Sequence, residues 1–276
     1  MDRSLLHILV FGAHPDDCDI KAGGTAVKYA RLGHKVRFVS MTDGAAGHHE
    51  ISGVELAKRR FAEAQAAAKV AGIEYVLLSN HDSELEASLE NRQQVVGMVR
   101  TFRPDLILAP RPNDYHPDHR NTSILVQDAS YLVTVPNYHP LVPHLRRMPV
   151  IAYVSDGFSR PNPFRADVVV DIDDVIEIKM DMLDCHVSQM YEWLPYNAER
   201  LDEVPEGAME RRAWLAEDRK AADARVVDRF REKLQTLYGS KRGSEVRYAE
   251  AFEVCEYGAP LTEEARERLF PFVGES

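Results

Sequence analysis

Cysteine is nearly missing from this sequence. Its 276 residues include three, Cys18, Cys185 and Cys255, far apart and with no CxxC pair. That spacing argues against a disulfide framework and a sulfur-rich metal site, and it fits a reducing compartment. Long apolar runs are missing too. No stretch reaches the roughly 18 residues of a membrane-spanning helix. The apolar run from Leu5 to Phe11 is too short, and it lacks the basic start and small-residue cleavage site of a secretion signal. A soluble, cytoplasmic protein is the expectation. Runs of Lys or Arg are absent as well. With 34 basic against 44 acidic side chains the net charge is -10, so no nucleic-acid footprint is expected. No repeat or low-complexity tract is present. What remains is length and apolar content: 45% of the residues are hydrophobic, enough to bury a sizeable core.

Short apolar runs alternate with helical patterns. Leu6 to Phe11 reads as a buried strand ending at Gly12. A helix is expected to open at Gly23-Gly24 and to stop at Gly33. Val36 to Met41 reads as the next strand. Thr42 to Gly53 reads as a loop rich in Gly, Asp and His. Glu55 to Ala71 reads as an Ala-rich helix capped by Gly72. Strands at Tyr75 to Leu78 and Leu106 to Ala109 flank a helix at Asn91 to Thr101, which must end before Pro104. A further helix is expected near Thr122 to Val133. The C-terminal part is less regular. Strands are expected at Val150 to Val154, Val168 to Val170 and Ala251 to Cys255. Helices are expected at Val175 to Cys185 and, heavily charged, at Gly207 to Tyr238. The alternation predicts an α/β, Rossmann-like three-layer fold with a mostly parallel sheet. Such sheets bind ligands beyond the carboxyl ends of their strands.

Two polar clusters fall just there. Ala13-His14-Pro15-Asp16-Asp17 follows the first strand, and His116-Pro117-Asp118-His119 follows the fourth. One His and two carboxylates within four residues suit a borderline ion such as zinc. His14 and Asp17 are three apart, so one turn can aim both at one ion and leave Asp16 free as a base. One histidine of the second cluster can complete a three-ligand catalytic site, and the other can face the substrate. His14, Asp17 and His119 would form such a set. The plainer alternative is that either cluster is only a turn, with Pro fixing φ and Asp17 or Asp118 capping a helix. Asp118 stays open between a cap and a group that orients a histidine. A nucleotide-binding reading finds no G-x-G-x-x-G and no P-loop, and an acidic turn would repel a phosphate.

The paired clusters resemble those of the PIG-L or LmbE-like deacetylases. Other elements are similar to that family as well: Thr42-Asp43-Gly44, Arg60 and Glu63 on the Ala-rich helix, Lys179 followed by His186-Val187-Ser188-Gln189, and Glu250-Ala251-Phe252. The resemblance covers about residues 5 to 255. It implies that residues 1–276 form one deacetylase domain with a longer helical insertion at about 191–243. It implies a zinc-dependent hydrolase that removes the acetyl group from an N-acetylglucosamine-type sugar or conjugate, with another divalent transition metal as an option. The implied zinc ligands are His14, Asp17 and His119. Asp16 is implied as general base, His116 as a cationic or proton-donating partner, and His186 as a group facing the reaction centre. Arg60 is implied to contact the sugar, and Arg146 to lie near it. Either Asp16 or His116 would protonate the leaving amine. The partner is a small acetylated sugar conjugate, and assembly into a homo-oligomer is expected. Cys18 stands where many members have Glu. The alternative is a catalytically silent metal-binding or sensing protein of the same fold. Trp193 and Tyr196 suit either a sugar platform or an oligomer contact.

Overall fold

A computed structural model describes residues 5–274 of the chain. Seven strands form one sheet: β1 (His7–Gly12), β2 (Lys35–Thr42), β3 (Glu74–Asn80), β4 (Leu106–Ala109), β5 (Val150–Val154), β6 (Val168–Asp171) and β7 (Ala249–Val254). The helices are α1 (Asp17–Arg31), α2 (Gly53–Ala71), α3 (Leu89–Phe102), α4 (Pro117–Leu132), α5 (Ile176–Asp184), α6 (Leu194–Asn197), α7 (Ala208–Arg229), α8 (Arg231–Tyr238), α9 (Ser240–Glu245) and α10 (Glu263–Leu269). The strand order is β3-β2-β1-β4-β5-β7-β6. β1 to β5 run parallel, while β7 lies antiparallel between β5 and β6. Among the described residues, no helix is long and apolar enough to cross a membrane.

The side-chain period of two divides each central strand between two cores. Ile8 and Val10 of β1, Leu106 and Leu108 of β4, and Val150 and Ala152 of β5 face one core, together with α1 and α5. Leu9 and Phe11, Ile107 and Ala109, and Ile151 and Tyr153 face the other, together with α3 and α4. Helices therefore cover both faces, as a sheet of continuous apolar strands requires. The order of connection reverses between β1 and β4. Two neighbouring strands there send their following chain in opposite directions and leave a crevice at their carboxyl ends.

Three expected boundaries move, each for a packing reason. The first helix starts at Asp17, not at Gly23-Gly24. The two glycines lie inside it because a neighbour comes too close for a side chain: a Cβ on Gly24 would stand 2.8 Å from Ile172 Cγ2. The helix expected from Thr122 starts five residues earlier, with Pro117 in its first turn, where a missing N–H costs nothing. The long charged helix breaks at Phe230, so α7 and α8 are separate. The Ala-rich helix ends as expected, with Gly72 left-handed at φ +70.

Candidate metal centre and cleft

The turn after β1 is built to fold back on itself. Asp17 Oδ2 accepts from the backbone N–H of both Ala13 and His14, at 2.8 Å each. Gly12 permits this closeness, because a Cβ there would lie 2.7 Å from Asp17 Cβ. The loop after β4 enters α4 through His116, whose Nδ1 accepts from the Asp118 N–H at 3.2 Å as an N-cap. α4 then carries His119 over the crevice.

Three donor atoms converge there. His14 Nδ1 and His119 Nε2 stand 3.3 Å apart. Asp17 Oδ2 lies 3.6 Å from the first and 3.5 Å from the second. Donors about 2.1 Å from one zinc ion at tetrahedral angles stand about 3.4 Å apart, so the spacing fits. The far side of each ring matters equally. His14 Nε2 lies 3.3 Å from Asp118 Oδ2 and 3.2 Å from Asp82 Oδ1. His119 Nδ1 lies 3.0 Å from Asp114 Oδ1. Each far nitrogen faces a carboxylate and must be the N–H donor, so each near nitrogen presents its lone pair. Two lone pairs at 3.3 Å beside a carboxylate repel one another unless a proton or cation sits between them. Burial disfavours a charged His14, yet the Asp118, Asp17 and Asp82 carboxylates outweigh it and hold its pKa well above the usual histidine value. Burial likewise opposes ionisation of Asp17, but His119 and His14 hold it far below the usual carboxylate range.

Two other triples, His14 with His116 and His119 and His14 with Asp82 and Asp118, also come within ligating range. Asp17 is the better third donor, because it is anionic and because His116 Nδ1 is already committed to the α4 cap. Burial and the neighbouring His14 and His119 push the His116 pKa down. Its Nδ1 accepts at the α4 cap, so a neutral His116 would carry its proton on Nε2 and could donate from there.

Asp118 is fully buried, with its oxygens accepting from the Ser83 and Leu85 amides as well as facing His14. It orients a histidine and does not cap α4. Asp16 is buried and accepts from Arg60 Nη2 at 3.1 Å through Oδ1. Arg60 is 2% exposed and its hydrogen bond to Asp16 holds that carboxylate. His186 is 0% exposed, with Nε2 3.3 Å from Asp19 Oδ2. It sits in the core and does not face the cleft. Arg146 is exposed and precedes β5, toward the amino ends of the parallel strands and away from the crevice at their carboxyl ends, so this chain does not bring it to the cluster. Trp193 and Tyr196 stack on each other, and Tyr196 stacks on His49 at 4.1 Å. They tie their segment to the loop after β2.

The late elements form a brace beneath the site. Glu63 accepts from the Ser188 N–H and hydroxyl. Gln189 donates to the Gly47 carbonyl. Lys179 lies between Asp223 and Glu250, and Glu250 accepts from the Gly24 and Thr25 amides of α1. Sequence reasoning missed Asp82, Asp114 and Lys21. The two acids follow strand ends, the signal that marked the histidines; Lys21 is one helical turn beyond Asp17.

A cleft of about 280 Å³ opens beside Asp17 and His119, with Lys21, Arg111, Tyr115, Asp156 and Phe158 among its walls. The fold and the convergent His–Asp cluster at its switch point define an α/β protein with a candidate metal centre. Residues 9–130 match the family described as PIG-L, GlcNAc-PI de-N-acetylase. The chain is 35% identical over 202 residues to diacetylchitobiose deacetylase of Thermococcus kodakarensis, covering 68% of this chain and 74% of that protein. This chain belongs to the PIG-L family. Its fold is similar to the N,N'-diacetylchitobiose deacetylase of Pyrococcus horikoshii, with a TM-score of 0.66, 28% identity and coverage of 92% of this chain and 85% of that one. The 4-carboxy-2-hydroxymuconate hydratase GalB of Pseudomonas putida shares the fold, with a TM-score of 0.74, 19% identity and coverage of 94% and 99%.

Proposed function

We propose that this protein is a zinc-dependent N-deacetylase of an N-acetylglucosamine-type sugar or conjugate, acting in the cytoplasm. The observation that carries the reading is the pair of imidazoles whose far nitrogens face carboxylates and whose near nitrogens meet Asp17 at metal-ligand spacing. The Thermococcus deacetylase relative supports the acetylated-sugar part. His14, Asp17 and His119 would hold the ion, and another divalent transition metal suits the same donors. When bound, such an ion supplies Lewis acidity, lowering the pKa of water toward about 7 and polarising an acyl oxygen.

The chain's own groups supply the rest. Asp16 takes the proton from the attacking water. Arg60 fixes its Oδ1, which leaves Oδ2 for that proton. His116 Nε2–H donates to the oxygen that gains charge as the amide carbon becomes tetrahedral. Asp16 then returns its proton to the leaving amine; His116 could do so only as an imidazolium, with a proton on the Nδ1 that accepts at the α4 cap. A silent metal-binding protein would have no use for a buried carboxylate with a dedicated arginine.

The test is primary-amine release from a panel of N-acetylglucosaminyl compounds by zinc-loaded protein, with Asp16→Asn beside it. The variant is expected to keep zinc and lose about two to four decades of rate, the usual worth of a general base. Full activity in that variant would remove Asp16 from the mechanism. No release by the wild type from any amide would leave the silent metal protein.

A further inference from the structure

The cleft beside Asp17 and His119 carries two cations, and they differ in how many donors are left to give. Arg111 makes four hydrogen bonds from its five donors: Nε and Nη2 reach the Asp156 carboxylate at 2.6 and 2.7 Å, Nη1 the Asn162 carbonyl, and Nη2 the Phe158 carbonyl; Nη1 also faces Glu253 Oε2 at 3.7 Å. Lys21 has three N–H donors. Among the described residues, its one hydrogen bond is to the Ser155 carbonyl at 3.1 Å, and it makes no ion pair. The nearby acids are occupied elsewhere. Asp114 accepts from the His116 amide and faces His119, Asp156 holds Arg111, and Asp17 holds the turn after β1. Burial pushes the Lys21 pKa down, partly offset by the charges of Asp17, Asp156 and Asp114. Lys21 is partly exposed and lines the cleft, and a ligand anion there would take up both remaining donors.

Charge and size point the same way. The cleft's three carboxylates outnumber its two cations by one; a divalent ion held by His14, Asp17 and His119 would reverse that balance. Its volume lies just under the roughly 300–1,000 Å³ of common small-molecule sites. That admits one ring with a substituent, against the apolar wall of Tyr115 and Phe158. Lys21 projects about 6 Å along α1 from Asp17, one helical turn away.

We propose that Lys21 is a specificity-determining residue that pairs an anionic substituent, carboxylate or phosphate, on the acetylated sugar. The preferred substrate is then an acidic N-acetylated amino sugar and not its neutral parent. This deepens the deacetylase reading and rests on it.

The test compares zinc-loaded wild type, Lys21→Met and Lys21→Arg on N-acetylglucosamine, its 1- and 6-phosphates, and N-acetylmuramic acid. The readout is the ratio of kcat/KM for each charged compound to that for the neutral one. Calorimetric binding of glucosamine and glucosamine 6-phosphate runs beside it. The wild type is expected to favour one charged compound at least tenfold, on the scale of a charge-assisted hydrogen bond. The phosphate and carboxylate arms tell which anion it is. Lys21→Met should bring the ratio to within about twofold of one, and Lys21→Arg should keep part of it. A folding defect would lower both rates and leave the ratio intact. A ratio near one in the wild type, or the same ratio in Lys21→Met, overturns the proposal. If no compound releases amine, the deacetylase reading fails separately. The binding arm then decides: a tenfold preference for the phosphate, lost in Lys21→Met, upholds the anion site, and its absence rejects it.

Discussion

Replacing Arg60 by methionine separates a sugar contact from a brace. The guanidinium is 2% exposed. It donates to Asp16 Oδ1 at 3.1 Å and lies 4.0 Å from Asp82 Oδ2. Its stem packs where Gly44 leaves room, since a Cβ there would stand 2.8 Å from Arg60 Cδ. Methionine fills much of the stem's volume but leaves Asp16 as a buried charge with its partner gone. Breaking a buried pair from one side costs about 3–5 kcal/mol, mostly from that uncompensated charge. At about 2–4 °C per kcal/mol for chains approaching this length, the low end of that cost lowers Tm by about 6–12 °C. Adding Asp16→Asn removes the charge, so the double variant should recover part of the loss, and the coupling should emerge from the four-member cycle. The assay is urea and thermal unfolding of all four proteins, with kcat and KM for the wild type and Arg60→Met. Loss of stability together with a fall in kcat is expected. A rise in KM alone, with unfolding midpoints unchanged and no coupling to Asp16, would refute the brace and return Arg60 to the substrate.

Other consequences follow from the same geometry. Asp114→Asn removes the carboxylate that faces His119 Nδ1; metal affinity should fall about 10–100-fold in competition with a chromogenic chelator, and unchanged affinity would mean that the ring is held by packing alone. Stripping the metal should lower Tm, because a ligand at a hundred times its Kd contributes about 2.7 kcal/mol to the native state; His119→Ala should abolish that difference between loaded and stripped protein. Gly24→Ala drives a methyl to within 2.8 Å of Ile172 Cγ2 and should cost about 1–3 kcal/mol in urea unfolding, whereas a neutral result would show that α1 shifts freely.

How much of this was legible in the sequence depended on range. The strands were readable because burial on both faces makes them continuous apolar runs, as in Leu6 to Phe11 and Leu106 to Ala109. Gly72 was readable because a left-handed cap is a local requirement. Gly23 and Gly24 misled for the converse reason: they answer to Lys179 and Ile172, about 150 residues away, and a contact at that separation leaves no periodic trace. The candidate site divides the same way. His14, Asp17 and His119 stand in short motifs at strand ends, so their meeting could be foreseen from topology. Asp82 also follows a strand end, but it stands in no His–Asp motif, and its partners, the His14 ring and the Ala46 and Gly47 amides, are distant in sequence.

Arg60 and His186 show where resemblance by motif stops. Both were tied to the reaction, and both belong to the layer beneath it, against Asp16 and Asp19. A side chain that sets the position of a reacting group is as tightly constrained as the group itself, so a motif marks both without telling them apart. Burial separates them by degree: Arg60 at 2% and His186 at 0% exposure are closed off, whereas Asp16 keeps 6%. By the same criterion Lys21, unmarked by any motif and open to the cleft, is a better candidate than Arg60 for meeting the substrate.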